Sequence, residues 1–214
     1  MGGRGGSSGM GGGGENVNIV GSTDVWSYRH NQTNEPFVDA INTGVKRIHD
    51  DFPGIMDTVA SVDAAELGGK DKLTVLGFYS SGDKTVALNL NFTDVDKMNR
   101  VYDQAVARGY HPSRGNLSGT ESVALHEMGH ALTDHIAKKL GLPDLDAASR
   151  KIFMDAYKAT KGKGKYKDWA GKISGYAKEN YAESVAEAVA DFYCNGRNAH
   201  PHSIAIMDQL RKYK

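Results

Sequence analysis

A helical pattern spans residues 120–140 and contains two histidines, His126 and His130, that are four positions apart. Side chains at this spacing stand about one turn above each other on one face of an α-helix, so both imidazoles can reach one metal ion. A protein metal site needs further ligands from elsewhere in the chain. The pair therefore requires another segment to pack against this helix.

Glu127 follows the first histidine and projects beside the pair. A carboxylate there can accept a proton from a water that zinc activates, without being a ligand itself. The alternative is two surface histidines that flank a solvated glutamate. Gly129 argues against that alternative. Glycine inside a helix costs about 1 kcal/mol relative to alanine, and packing against another segment would compensate this cost. A close approach of another backbone segment beneath the metal would account for this glycine.

A catalytic zinc usually has three protein ligands and one open position. Glu183, Glu187 and Asp191 recur at four-residue steps and form one acidic stripe on a predicted helix at 179–193. Such a stripe is by itself usually a solvated helix face. The opposite face is apolar, and the two histidines require a partner. We therefore expect this helix to pack against the first one and to supply the third ligand.

The flanking regions predict one α+β domain, mostly helical with a small β-sheet or hairpin. Residues 1–14 are almost entirely Gly and Ser, which predicts a disordered leader before a single domain at 15–214. Thr120 is the predicted N-cap of the histidine-bearing helix. The other expected elements are an amphipathic helix within 35–62 that ends near Pro53, β-prone runs at 72–78 and 84–92 joined by a turn at 80–83, helices at 94–108 and 144–159, and a basic loop at 161–172.

The second β-prone run, 84–92, alternates apolar and polar residues, which is typical of a strand with one buried face. If it lies at the edge of the sheet, its unpaired backbone groups can bind an extended peptide. The alternative is an internal strand that is paired on both sides.

Charge, cysteine content and hydropathy limit the kinds of partner and site that this sequence supports. Lys plus Arg equals Asp plus Glu at 26 each, so net charge gives no indication of binding to nucleic acid or an anionic membrane. The single cysteine, Cys194, rules out an internal disulfide and a cysteine-based zinc site. We find neither a signal-peptide pattern nor an apolar run long enough for a membrane span. The expectation is a cytoplasmic chain or one exported without a cleaved signal.

The remaining histidines are predicted to be surface or ordinary structural residues. His135 lies five positions beyond His130, about 140° around the helix, so it cannot face the same metal. The others lack ligand spacing or lie in a tail-like segment: His30, His49, His111, His200 and His202.

These segments resemble the gluzincins, zinc peptidases with a His-Glu-x-x-His helix and a glutamate ligand on a later helix. The resemblance is closest to the anthrax lethal factor type, which includes the Pro-Pro endopeptidases, and it covers residues 121–193. In that family a Tyr-Gly or Tyr-Ala pair precedes an Asn, the ligand Glu and an Ala-Glu-Ala sequence. The matching residues here are Tyr176-Ala177, Asn180, Glu183 and Ala186-Glu187-Ala188.

The resemblance implies a zinc endopeptidase with His126, His130 and Glu183 as ligands and Glu127 as the general base. It also implies that Tyr176 donates a hydrogen bond to the developing oxyanion, which is worth about 3 kcal/mol for comparable donors.

Glu187 matches a position where the family places a carboxylate behind a metal-bound histidine, here His126. Without the resemblance, Tyr176 would be interpreted as a buried aromatic residue. The chain departs from the family at Thr133, where an Asp is common and where Asp134 is the next residue. The alternatives are a non-catalytic phage- or toxin-associated module with this fold, or a zinc hydrolase that acts on a non-peptide substrate.

Overall fold

The computed structural model describes residues 35–214, together with the backbone of two short strands nearer the N-terminus. These strands, β1 (Glu15–Asn16) and β2 (Trp26–Ser27), pair antiparallel. The predicted leader at 1–14 lies outside the described residues.

Residues 35–214 are mostly helical and include a small mixed sheet, so the α+β prediction is confirmed. The helices of this part are α1 (Glu35–Asp51), α2 (Val95–Ala107), α3 (Gly119–Leu140), α4 (Leu145–Ala159), α5 (Tyr166–Ala170), α6 (Tyr181–Asn195) and α7 (Pro201–Leu210). The sheet consists of β3 (Ser61–Ala65), β4 (Gly77–Ser80) and β5 (Thr85–Asn89). None of the helices in this part combines the length and apolar character that a membrane span needs.

The sheet has the order β3-β5-β4, with β5 parallel to β3 and antiparallel to β4. The run at 84–92 is therefore an internal strand, and the edge-strand alternative is wrong for it. The predicted hairpin is present, but its first strand is β4, and residues Leu90–Phe92 form a 3₁₀ turn. Asn89 of β5 is buried, and its amide donates hydrogen bonds to the carbonyl oxygens of Lys72 and Val75, which offset the cost of burial.

Helix α1 ends at Asp51, near Pro53 as predicted. Three regions differ from the sequence-based expectations. The residues after α1 form a 3₁₀ turn, Pro53–Asp57, and strand β3, which was not predicted. The basic loop contains α5, which buries Trp169. The segment after Pro201 is not a tail but α7, which packs against α4 and α6.

Helix α3 lies at the centre of the fold and packs against α1, α2, α4, α6 and the sheet. Its N-cap is Ser118 and not Thr120: the Ser118 side chain accepts from the Glu121 backbone, and the Glu121 carboxylate accepts from the Ser118 backbone. This reciprocal arrangement satisfies two backbone donors at the helix start. Gly141 ends the helix at a φ of 64°, a left-handed conformation that glycine adopts readily.

Candidate metal centre

Three side chains meet between α3 and α6. Nε2 of His126 lies 3.1 Å from Oε2 of Glu183, and Nε2 of His130 lies 3.4 Å from the same oxygen. The potential ligand atoms of all three residues lie within 4.8 Å of one another. Tetrahedral zinc with bonds of about 2.0 to 2.1 Å places its ligand atoms roughly 3.3 Å apart. The donor types and the two distances to Glu183 are therefore compatible with a metal ion such as zinc.

These side chains are not on a solvated surface. His126 is 8% exposed and Glu183 is 7% exposed, while Glu187 and Asp191 of the acidic stripe are also buried. Burial alone would raise the pKa of Glu183, but the neighbouring rings of His130 and His126 hold it well below its usual range. The stripe is therefore an inward-facing set of carboxylates, and the solvated-face alternative is excluded.

Gly129 lies where α3 and α6 cross. A β-carbon on Gly129 would stand 2.9 Å from Cα of Ala186 and 3.2 Å from Cβ of Val189, closer than side chains normally approach. The expected close approach of a backbone segment is thus confirmed, and that segment is α6. Asn180 caps α6 by accepting from the Glu183 backbone at 2.8 Å. The cap and the crossing together set the register that brings Glu183 to the histidines.

Glu127 lines the same cavity as the two histidines and is 6% exposed. Burial raises its pKa, although the charges of His126 and His130 oppose that shift. Strand β4 passes directly over this residue: a β-carbon on Gly77 would lie 3.2 Å from Cγ of Glu127 and 2.8 Å from Cγ1 of Val123. Gly77 was not singled out from the sequence, because its contact is with a residue fifty positions away.

Tyr176 begins the 3₁₀ turn Tyr176–Lys178, and its ring stacks beside His126 with centroids 5.8 Å apart. Burial raises its pKa above the usual range for tyrosine, so the hydroxyl keeps its proton and can donate. Tyr110 covers a further part of the ring at a centroid distance of 5.1 Å. Tyr110 is itself 40% exposed at the rim of the cavity.

Glu187 lies behind His126, one turn along α6 from Glu183. Among the described residues, Nδ1 of His126 has no well-aligned hydrogen bond, so its 2.8 Å approach to Oε1 of Glu187 is a close polar contact. Burial would raise the pKa of Glu187, but His111 and His126 lower it to about 2. The expectation that Glu187 stands behind His126 agrees with this geometry.

His111 is not a surface residue, because its side chain is only 14% exposed, and its contacts within the site were not predicted. Its Nδ1 lies 3.0 Å from Oε1 of Glu187, and its ring lines the cavity. No spacing rule could have found it, because it follows α2 in an irregular segment and reaches the site only through the tertiary fold.

Other histidines have structural contacts, as predicted. Nδ1 of His135 bonds the hydroxyl of Thr58. The ring of His202 stacks on Trp169 at 4.0 Å, and His200 caps α7. His30 lies outside the described residues.

The cavity above these groups has a volume of about 620 Å³, within the usual range for ligand sites. Strand β4 and the residues before it form one wall. Tyr110 and Tyr176 line another part, and Leu145 and Asp146 at the start of α4 line a third. The edge strand that borders the cleft is therefore β4, and not the run at 84–92 for which an edge position was considered.

A scan against protein-family models found no match to this chain, and a search of curated proteins found no relative.

Proposed function

We propose that this chain is a zinc-dependent endopeptidase with a zincin-like domain, of the gluzincin kind, acting on protein or peptide substrates. The observation that carries the proposal is the buried set of His126, His130 and Glu183 at zinc-ligand spacing, with a separate buried carboxylate, Glu127, beside it. A structural zinc site closes its fourth position and needs no such base. Glu127 therefore favours catalysis over a non-catalytic module.

His126, His130 and Glu183 would hold the ion, which when bound supplies Lewis acidity that acidifies water and polarises a carbonyl group. Glu127 accepts the proton from the attacking water and returns it to the leaving amine. The burial that raises the pKa of Glu127 suits this exchange, because a base works best when its pKa is near the working pH.

Tyr176 has the second proposed role. Its hydroxyl remains protonated, since burial raises its pKa, and its ring lies beside His126. A fixed donor at this place stabilises the negative charge that develops on the carbonyl oxygen as water attacks.

Substrate binding is proposed along β4. This strand is at one edge of the three-stranded sheet, and residues 74–80 line the cavity. An extended peptide can add to such an edge through backbone hydrogen bonds. Gly77 lets the strand pass close above Glu127, so a peptide bound there would have its backbone near the base.

The test combines metal analysis by mass spectrometry with cleavage of a peptide library. We expect about one zinc per chain. Glu127→Gln is the variant that isolates the base, because it keeps the size and hydrogen bonding of the side chain but cannot accept a proton. It should retain the zinc and lose about two to four orders of magnitude in hydrolysis. Cleavage by Glu127→Gln as fast as by the parent would overturn the mechanism, and a zinc-loaded parent that cleaves no peptide would indicate a different substrate.

A further inference from the structure

Glu187 is 1% exposed and has donors on both carboxylate oxygens. The hydroxyl of Ser174 donates to Oε2 at 2.7 Å, and Nδ1 of His111 lies 3.0 Å from Oε1. Nδ1 of His126 approaches the same Oε1 at 2.8 Å. A buried carboxylate keeps its place only when such partners satisfy its oxygens.

The ring of His111 is held on several sides. It stacks on the buried ring of Tyr102 at 5.3 Å with an interplanar angle of 9°. The rings of Tyr110 and Tyr176 meet it edge-on at 4.9 and 5.5 Å. Its side chain is 14% exposed. The aromatic packing therefore fixes the direction in which Nδ1 points.

The backbone around His111 is fixed as well. The amide of Gly175 donates to the Gly109 carbonyl at 2.7 Å, and the amide of Tyr176 donates to the Tyr110 carbonyl at 3.0 Å. These bonds join the segment that carries His111 to the segment that carries Tyr176. The two side chains are thus held in one unit, and both rings lie next to the ring of His126.

We propose that His111 is a positioning residue for the metal centre: it donates Nδ1–H to Glu187 and so keeps that carboxylate aimed at Nδ1 of His126. The opposite nitrogen of His126, Nε2, faces Glu183. A ring held at Nδ1 presents Nε2 in a fixed direction, and partners of this kind behind metal-binding histidines tune metal affinity. The inference rests on the proposed function only in taking His126 as a ligand.

Three variants separate the donor from the ring. His111→Phe keeps an aromatic ring between the tyrosines but removes the donor. His111→Asn places an amide donor near the position of Nδ1, whereas His111→Gln places it further out, near Nε2. His135→Phe is the matched control, since His135 bonds Thr58 away from the ligand cluster.

The readouts are zinc affinity, by competition with a chelator, and the visible absorption spectrum of the cobalt-substituted protein. Neither depends on peptidase activity. We expect His111→Phe to bind zinc on the order of 10-fold more weakly and to alter the cobalt spectrum. His111→Asn should restore most of the affinity, and His111→Gln should not. The control should match the parent in both measurements.

Parental affinity and spectrum in His111→Phe would overturn the proposal and leave His111 as a packing residue. If that variant does not fold, the pair of amide variants decides: tighter zinc binding by Asn than by Gln supports the proposal, and equal binding overturns it. A parent that binds zinc but cleaves no peptide refutes the peptidase function alone. A parent that binds no zinc refutes both proposals.

Discussion

The hydroxyl of Tyr79 on β4 donates a 2.6 Å hydrogen bond to Asp134 on α3. The ammonium group of Lys84, at the other end of the hairpin turn, reaches the same carboxylate oxygen at 2.5 Å. Asp134 is 8% exposed. The hairpin that carries the edge strand is therefore attached directly to the helix that carries the two histidines, which sets the width of the cleft between them.

Asp134→Ala should loosen this attachment without altering the proposed metal ligands. We expect KM to rise several-fold for a peptide that binds along β4, with unchanged zinc affinity and a loss of about 1 to 3 kcal/mol in the free energy of unfolding. Steady-state kinetics, chelator competition and urea unfolding measure these three quantities. Asp83→Ala is the control, because the Asp83 carboxylate accepts a hydrogen bond from the Ser80 hydroxyl within the exposed turn. Loss of zinc in Asp134→Ala would contradict this account.

Two of the carboxylates of α6, those of Glu183 and Glu187, should differ in their effect on metal binding. Glu183→Ala, like His126→Ala and His130→Ala, should weaken zinc binding severely because a ligand is lost. Glu187→Ala should retain zinc but bind it on the order of 10- to 100-fold more weakly. Chelator competition across the series tests this order. If Glu187→Ala abolishes binding and Glu183→Ala leaves it unchanged, the assigned register of α6 is wrong by one turn.

Tyr176→Phe should leave the zinc content unchanged and lower kcat by about two orders of magnitude, because the donor to the oxyanion is lost. Most of the loss should fall on kcat and not on KM. The control is Tyr110→Phe, which alters the neighbouring tyrosine in the same aromatic group. An equal loss of kcat in both variants would assign the effect to packing.

Gly129→Ala should destabilise the protein by about 1 to 3 kcal/mol, because the new methyl group would press against Ala186 where α3 and α6 cross. The same displacement should weaken zinc binding, since α3 carries the proposed ligands His126 and His130 and α6 carries Glu183. Thermal unfolding and metal titration measure the two effects. Gly82→Ala is the matched substitution, because a β-carbon there meets no atom within 4 Å. A fully stable Gly129→Ala would show that the helices can separate at no cost.

Asp51 allows a prediction about pH that is independent of the metal site. Burial would raise its pKa, but hydrogen bonds from Tyr193, Lys214 and Arg211 lower it. A carboxyl with a lowered folded-state pKa stabilises the fold above its unfolded pKa, about 3.9, and this contribution is lost as the pH falls through the folded-state value. Asp51→Asn should therefore be about 1 kcal/mol less stable at pH 7.

The difference between Asp51→Asn and the parent should disappear as the pH falls from about 4 through the lowered folded-state pKa. Urea unfolding at a series of pH values measures it. A constant difference down to strongly acidic pH would show that Asp51 acts through size or packing and not through its charge.

Elements defined by local chemistry were predictable from the sequence. Asp94 and Asp144 cap α2 and α4 where the patterns indicated, because a cap and an amphipathic face involve residues within a few positions. The correct N-cap of α3 could also have been predicted from neighbouring residues. Ser118 has Glu121 three positions later, which is the stronger signal.

The sheet could not be predicted in the same way. Strand β3 is five residues long and pairs in parallel with β5, whose partner residues lie 24 positions later, as Ser61 with Thr85. Since the position of β5 within the sheet depends on that pairing, alternation within 84–92 could not distinguish an edge from an internal strand.

The residues of the candidate site likewise fall into those that local spacing predicts and those that it does not. His126 and His130 share a helix face, and Glu183 lies at a recognisable register, so all three were predictable. His111 and Gly77 reach the site from separate segments through contacts with Glu187 and Glu127. Their roles depend on how distant parts of the chain meet, which helical spacing does not encode.

His126 and Glu183 are 57 positions apart in the chain, with α4 and α5 between them. An ion held by both would close this length into a loop, as a disulfide does. In the chain-entropy treatment of cross-links, a loop of this length stabilises the fold by about 4 kcal/mol through the unfolded state. With one cysteine, the chain cannot form an internal disulfide, and a bound zinc ion would supply the corresponding cross-link. The availability of zinc would then determine the stability of the fold as well as the proposed activity.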